Sequence, residues 1–86
     1  MREILYMYMP GCPHCAKADQ ILADLRSRDP KYAAVPLRKV DETREKAFAD
    51  SLDYWYVPCM FVGGRKLLEG PPDEKSIKMV LEAALN

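Results

Sequence analysis

The sequence predicts an α/β domain in which a four-stranded mixed sheet is flanked by helices on both faces. Three observations predict this fold class: a nearly all-apolar strand close to the N-terminus, an alternation of strand and helix patterns, and paired glycines between two short strands. The predicted element order is β-α-β-α-β-β-α. The chain has 86 residues, enough for one domain and too few for two, so residues 1–86 are assigned to a single domain.

The first strand is predicted at residues 3–9, which are almost all apolar or aromatic, as is typical of a strand buried on both faces. Pro10-Gly11 ends it. The first helix is predicted from Pro13 to about Arg28, because apolar residues recur there at helical spacing. Proline suits a first helical turn, where its missing N–H would have no partner in any case. Asp29-Pro30 closes the helix.

The middle of the chain predicts a second strand, Val35 to Val40, and a short helix from Glu42 to about Leu52. Asp41 is the predicted N-cap of that helix. Its side chains expected to face inward are Ala47, Phe48 and Leu52. The first two strands and the helix between them form a β-α-β unit, so we expect these strands to be parallel, with a right-handed crossover.

The last third of the chain predicts a hairpin and a final helix. Residues 60–62 and 66–68 flank Gly63-Gly64, and paired glycines supply the positive φ that tight turns need. The hairpin adds an antiparallel pair to the sheet. Asp73 is the predicted N-cap of the helix, whose apolar side chains repeat at i, i+3, i+4, i+7 and i+8. These side chains are Ile77, Val80, Leu81, Ala84 and Leu85.

Cys12 and Cys15 are separated by two residues, a spacing that indicates either reversible disulfide formation or metal ligation. Cys12 is predicted to lie where the buried strand ends and the helix begins. The unpaired N–H groups and the positive end of the helix dipole favour an anion there, and a thiolate is such an anion. We therefore predict that Cys12 is the nucleophile and that the less exposed Cys15 resolves the mixed disulfide.

His14 and Cys59 each have two interpretations. As an imidazolium, His14 would stabilise the thiolate and make the pair more oxidising, whereas as an exposed neutral side chain it would do little. Cys59 is either a small buried hydrophobic residue or a third participant in redox chemistry or metal binding.

The run Cys12-Pro13-His14-Cys15 between a strand and a helix, together with the element order, resembles the thioredoxin superfamily, and its short form resembles the glutaredoxins. Val57-Pro58, just before the third strand, matches the cis-proline of those families. Gly63-Gly64-Arg65-Lys66 matches their glycine-containing hairpin. The resemblance implies a thioredoxin-like, glutaredoxin-type fold and a thiol–disulfide oxidoreductase that carries electrons in cell redox homeostasis.

The resemblance also implies a substrate site. The cis-proline would place the backbone of Val57 beside the dithiol, and Pro13 would lie at the same site. The aromatic cluster Tyr54, Trp55 and Tyr56 precedes it in the chain and could flank a substrate groove, or could instead cap the second helix and fill the edge of the core. The expected partners are protein disulfides or glutathione-type thiols and a reductase as electron donor. Glutathione is a possible co-substrate, and no metal or resident cofactor is required.

Three positions depart from the family pattern. His14 stands where glutaredoxins commonly have an aromatic residue, and Gly11 stands where thioredoxins have a tryptophan. Glutaredoxins usually hold the glutathione carboxylate with two glycines and an acidic residue before the last helix. Here that segment is Gly70-Pro71-Pro72-Asp73, in which the prolines have no backbone N–H to donate.

Charge and composition limit the partners and the location. Thirteen basic residues balance thirteen acidic ones, so no electrostatic feature predicts binding to nucleic acid or to an anionic membrane. No segment is long enough to span a bilayer, and no export signal is recognisable. The expected location is therefore the cytoplasm, where cysteines seldom form a structural framework, and the expected state is a monomer.

Two other functions remain open from the sequence. The first is a metal-binding or iron–sulfur-binding module that uses Cys12, Cys15 and either Cys59 or His14, although structural zinc normally takes four ligands, commonly in two separated pairs. The second is a redox-silent adaptor that binds a partner through residues 54–57.

Overall fold

A computed structural model describes all 86 residues of the chain. The elements are β1 (Ile4–Tyr8), α1 (Pro13–Arg28), α2 (Pro30–Ala33), β2 (Leu37–Asp41), α3 (Lys46–Asp50), β3 (Cys59–Val62), β4 (Arg65–Glu69) and α4 (Glu74–Leu85). The sheet order is β2-β1-β3-β4; β1 and β2 are parallel, and the other neighbours are antiparallel. The predicted four-stranded mixed sheet is confirmed.

Helices cover both faces of the sheet, as the apolar character of β1 requires. Side chains of a strand alternate between the two faces, and β1 therefore contributes to two cores. Ile4 and Tyr6 pack in the larger core, which contains residues of α1, α2 and α4. Met7 packs in the smaller core, which contains Ala49 of α3. All three β1 side chains are fully buried.

One helix was not predicted. Pro30 ends α1, as expected, but it also begins the one-turn helix α2, because proline is well tolerated at a first helical position. Asp29 is the N-cap of α2, and its carboxylate accepts a hydrogen bond from the Lys31 N–H at 3.1 Å. Strand β2 begins at Leu37, later than predicted, since Pro36 has no N–H to donate to the neighbouring strand.

The prediction for the second helix was wrong in three details. Helix α3 begins at Lys46, and its N-cap is Glu45, not Asp41. Asp41 ends β2, and its carboxylate accepts hydrogen bonds from the backbone and hydroxyl of Thr43 at 2.8 and 2.7 Å, which hold a turn and delay the helix. Ala47 is exposed. The side chains that pack on the sheet from this region are Phe48, Ala49 and Leu52.

The predicted end of the chain is confirmed. Asp73 caps α4: its carboxylate accepts from the Ser76 N–H at 2.7 Å, and the Ser76 hydroxyl accepts from the Asp73 N–H at 3.1 Å. Gly63 and Gly64, in the turn between β3 and β4, have φ angles of 58° and 79°. None of the helices combines the length and the apolar character that crossing a membrane would need.

Candidate active site

Cys12 is the residue at which the chain leaves the end of the sheet and enters α1. Its backbone is extended, with φ −86° and ψ 114°, and its Sγ accepts a hydrogen bond from the Cys15 N–H at 3.2 Å. The sulfur therefore acts as the N-cap of the helix. Pro13 follows in the first turn, and 8% of Cys12 remains exposed. A sulfur in this position accepts a backbone N–H hydrogen bond and lies at the positive end of the helix dipole, and both interactions stabilise a thiolate.

Cys15 lies in the first turn of α1 and is 3% exposed. Burial, followed by the hydrogen bond with the Cys12 side chain, raises the pKa of Cys15 to about 12. Cys15 is therefore a protonated thiol at neutral pH. The two neighbouring cysteines have unequal surroundings, as the sequence predicted.

Side chains that the sequence pattern did not single out support this first turn. The hydroxyl of the fully buried Tyr6 lies 3.0 Å from the backbone oxygen of Cys15 and 2.9 Å from the Asp19 carboxylate. Lys39 pairs with the other oxygen of Asp19 at 3.0 Å. Burial, followed by the hydrogen bond to Asp19, raises the pKa of Tyr6. The available signal was the four-residue spacing of Cys15 and Asp19, which places both on one helix face.

The loop before β3 brings its backbone to the dithiol. The Val57–Pro58 peptide bond is cis, as the resemblance implies. The Val57 carbonyl oxygen lies 3.9 Å from the Cys12 Sγ. Pro58 is buried, and its carbonyl accepts a hydrogen bond from the Gly70 N–H at 2.9 Å. The structure thus places Val57 beside Cys12, although the two are far apart in the sequence.

The aromatic residues of the same loop have different environments. Trp55 is 83% exposed and Tyr56 is 69% exposed, so neither fills the core. Tyr54 does: its ring packs edge-on against Phe61, with 6.2 Å between ring centroids. Of the two interpretations of the cluster, the one in which it fills the core edge holds for Tyr54 alone.

Glu69 holds the loop that precedes β3, and the sequence pattern did not single it out. Its carboxylate accepts hydrogen bonds from the backbone N–H groups of Trp55 and Tyr56 and pairs with Lys66 at 2.9 Å. The Trp55 N–H, followed by Lys66 and the Tyr56 N–H, lowers the pKa of Glu69 to about 2. The carboxylate is therefore ionised at neutral pH.

His14 and Pro13 are exposed at the start of α1. The imidazole of His14 takes part in none of the hydrogen bonds or ion pairs of the protein. The effect of His14 on the dithiol stays a prediction.

Cys59 is fully buried and lies on the other face of the sheet from α1. It pairs with Met7 of β1 and packs in the smaller core. Burial is the main cause that raises its pKa to about 12. No group of three or more His, Cys, Asp or Glu side chains is arranged to hold a metal ion, so Cys59 does not complete a ligand set with Cys12 and Cys15. Its position favours the interpretation of a small hydrophobic core residue.

The segment from Gly70 to Asp73 has no backbone donor left for a ligand. The Gly70 N–H is bonded to the Pro58 carbonyl, and Pro71 and Pro72 have none. The Asp73 N–H donates to the Ser76 hydroxyl. The structure therefore agrees with the departure from the glutathione-binding pattern that the two prolines indicate.

Comparison with known proteins identifies the family. The sequence model of the glutaredoxin family matches residues 4–67, which include both cysteines of the dithiol and Pro58. No curated protein matches the chain. A solved structure described as "Structure of a malarial protein" superposes with a TM-score of 0.74 at 16% identity, over 100% of this chain and 99% of that one, a likeness that shows the fold alone. Because the family match covers most of the chain, including the dithiol, the protein belongs to the glutaredoxin family.

Proposed function

We propose that this protein is a thiol–disulfide oxidoreductase whose redox-active pair is Cys12 and Cys15. The observation that supports the proposal most directly is the hydrogen bond from the Cys15 N–H to the Cys12 Sγ at the start of α1. A sulfur held in this way is a stabilised nucleophile, and the protonated thiol beside it is suited to the second step. Membership of the glutaredoxin family supports the same reaction class.

The reaction proceeds by two exchanges. The Cys12 thiolate attacks one sulfur of a substrate disulfide, so that a Cys12–substrate bond forms, the substrate S–S bond breaks and the leaving sulfur departs as a thiolate. That thiolate takes up the proton that Cys15 loses. The Cys15 sulfur then attacks Cys12, forms the Cys12–Cys15 disulfide and releases the second substrate thiolate, which takes a proton from solvent. Two electrons pass to the substrate, and glutathione or a reductase returns them to the protein.

The substrate is proposed to lie along the loop before β3. The Val57 backbone is beside Cys12 and offers hydrogen-bonding groups to an extended segment, while Pro58 holds the end of that loop. The exposed rings of Trp55 and Tyr56 and the exposed Pro13 would flank it. Because Gly70 to Asp73 offer no free backbone donor, protein disulfides are favoured over glutathione disulfide as substrates.

The expected setting follows from the chemistry. A dithiol that must be reduced after each cycle is suited to a reducing compartment, and we propose that the protein acts in the cytoplasm as a monomer. His14 is proposed to stabilise the Cys12 thiolate when it is protonated.

A redox titration tests the proposal. The protein is purified without added metal or chelator, equilibrated with graded mixtures of reduced and oxidised glutathione, trapped with an alkylating agent and analysed by mass spectrometry. We expect a reversible two-electron transition confined to Cys12 and Cys15, with Cys59 reduced throughout. Cysteines that stay unreactive until a chelator removes a metal would instead support the metal-binding alternative.

The same titration tests His14. In His14→Ala, the midpoint should move to a more reducing potential. A midpoint that equals the wild-type value would leave His14 as an exposed residue without a role in the potential.

A further inference from the structure

The loop before β3 is held by side chains of another strand. The N–H groups of Trp55 and Tyr56 donate to one oxygen of the Glu69 carboxylate, the latter at 3.0 Å. The Lys66 ammonium donates to the Asp53 carbonyl at 3.3 Å and lies 2.9 Å from the other oxygen of Glu69. The pair Lys66 and Glu69, called the β4 clip below, thus binds three backbone groups of residues 53–56.

A β-bulge makes the clip possible. Lys66 and Glu69 are three residues apart, and in a regular strand such residues point to opposite faces. The pairing of β4 with β3 shifts between Met60 and Phe61, and Leu67 is the extra residue in β4. Bulges of this kind re-aim side chains next to functional sites. Both clip residues consequently point to the face of the smaller core.

Trp55 and Tyr56, whose N–H groups the clip binds, receive little order from the packing of their side chains. The Trp55 and Tyr56 side chains are 83% and 69% exposed, so burial does not fix them. Their backbone N–H groups are bonded to an ionised carboxylate, and such bonds are roughly twice as strong as those between neutral groups. The next residue, Val57, has its carbonyl oxygen 3.9 Å from the Cys12 sulfur. The hydrogen bonds that fix Trp55 and Tyr56 therefore also help to fix Val57, which lies beside the dithiol.

We propose that the β4 clip is a positioning device for substrate: it holds residues 53–56 so that the exposed Trp55 and Tyr56 rings, and the Val57 backbone that lies beside Cys12, are ordered before substrate binds. The inference rests on the proposed oxidoreductase function. A binding surface that is ordered in advance loses less conformational freedom when the substrate docks. The clip touches neither sulfur, so it should change substrate binding and leave the reactivity of Cys12 as it is.

The test compares Glu69→Ala and Glu69→Gln with a control, Glu74→Ala. Glu74 is also an ion-paired glutamate, but it is exposed and its partner is Arg28. KM and kcat are measured for reduction of a peptide disulfide, together with the rate at which iodoacetamide modifies Cys12. Trp55 is the only tryptophan, so its fluorescence anisotropy reports the order of the loop directly.

In Glu69→Ala, we expect KM to rise about tenfold, the change expected when a hydrogen bond to a charged group is lost. The value of kcat should stay within about twofold and the iodoacetamide rate should be unchanged, since an interaction lost from binding alone affects KM. The Trp55 anisotropy should fall. Glu69→Gln keeps an acceptor oxygen and should recover most of the affinity, and Glu74→Ala should match the wild type.

Several outcomes would overturn the proposal. If the wild type is active and Glu69→Ala has the wild-type KM and anisotropy, the clip proposal is wrong and the proposed oxidoreductase function still stands. An equal fall in kcat and in the iodoacetamide rate would show a disturbed dithiol, not a lost binding surface. If the wild type reduces no disulfide, both the oxidoreductase function and the role of the clip are contradicted. If Glu69→Ala does not fold, Lys66→Met takes its place, with a smaller expected rise in KM of about threefold and an unchanged KM as the contradicting result.

Discussion

Cys15 and Cys59 are both buried thiols, and burial is the main cause that raises the pKa of each to about 12. Their surroundings differ. Cys15 lies in the first turn of α1 beside a second sulfur, that of Cys12, which accepts a hydrogen bond from the Cys15 N–H. Cys59 lies in the inner strand β3, packed among apolar side chains on the other face of the sheet. Burial therefore sets the protonation state of a thiol, and its neighbours decide whether it can take part in disulfide exchange.

The raised pKa has different consequences for Cys15 and for Cys59. Under the proposed function, a protonated Cys15 would leave Cys12 as the attacking sulfur, would avoid two adjacent thiolates, and could still resolve once Cys12 carries the substrate. A protonated Cys59 would take no part, because it is packed in the smaller core while Cys12 and Cys15 lie at the start of α1. Cys59 would then provide an internal reference for the proposed redox pair.

The largest effect is expected from Cys12→Ser. A hydroxyl is far less acidic and less nucleophilic than a thiol, so turnover of a disulfide substrate should fall by about three orders of magnitude or more. The measurement is a coupled reduction assay with a reductase or glutathione as donor. Residual turnover within tenfold of the wild type would show that Cys15 or Cys59 can attack, and the contrast between the cysteines would be lost.

A thiol-specific alkylating reagent should separate the cysteines by pH. Cys12 should be modified at neutral pH, and Cys15 and Cys59 at rates lower by about two orders of magnitude, because a thiol below its pKa has little of the reactive thiolate. For these two, the rate should rise about tenfold per pH unit as the pH approaches the raised pKa. Peptide mapping of folded protein between pH 6 and 9 measures this. Equal labelling of Cys12 and Cys59 at pH 7 would contradict it.

Cys15→Ser should keep the first attack and lose the second. Without a resolving thiol, the mixed disulfide at Cys12 should accumulate at one substrate per chain, and turnover of protein disulfides should fall about tenfold or more. Intact-mass analysis under non-reducing conditions detects the adduct. Turnover equal to that of the wild type would show that resolution needs no second cysteine of this chain.

The smallest effect on activity is expected from Cys59→Ala. Removing a buried sulfur should lower the free energy of unfolding by roughly 1 kcal/mol, and disulfide exchange should stay within about twofold of the wild type. Denaturant unfolding and the reduction assay are measured on the same sample. A shifted reduction potential or a fivefold loss of exchange in a folded variant would make Cys59 a redox participant after all.

Local patterns were sufficient for most of the fold. The two-sided burial of β1, the helical spacing from Pro13, the paired glycines and the Asp73 cap each depend on residues close together in the chain, and all are confirmed. Asp41 was misassigned because an aspartate can bond to a turn as well as to a helix start. Both options are local, and the sequence does not rank them.

The sequence by itself determined the order of every element except the one-turn helix α2, and it determined the position of Cys12 at a helix start, because hydrophobic period and capping act over one or two turns. Only the tertiary structure decided that Cys59 faces away from the dithiol, that the Val57 carbonyl lies beside Cys12, and that Glu69 holds the loop at Trp55 and Tyr56. The first depends on which face of β3 each residue occupies. The Val57 and Glu69 contacts each join residues that are far apart in the chain. The Glu69 contact also depends on the bulge at Leu67, because without that extra residue the Glu69 side chain would point to the opposite face of the sheet. A periodic pattern indicates which side chains are buried, but the partner across the sheet is set by how the strands pair.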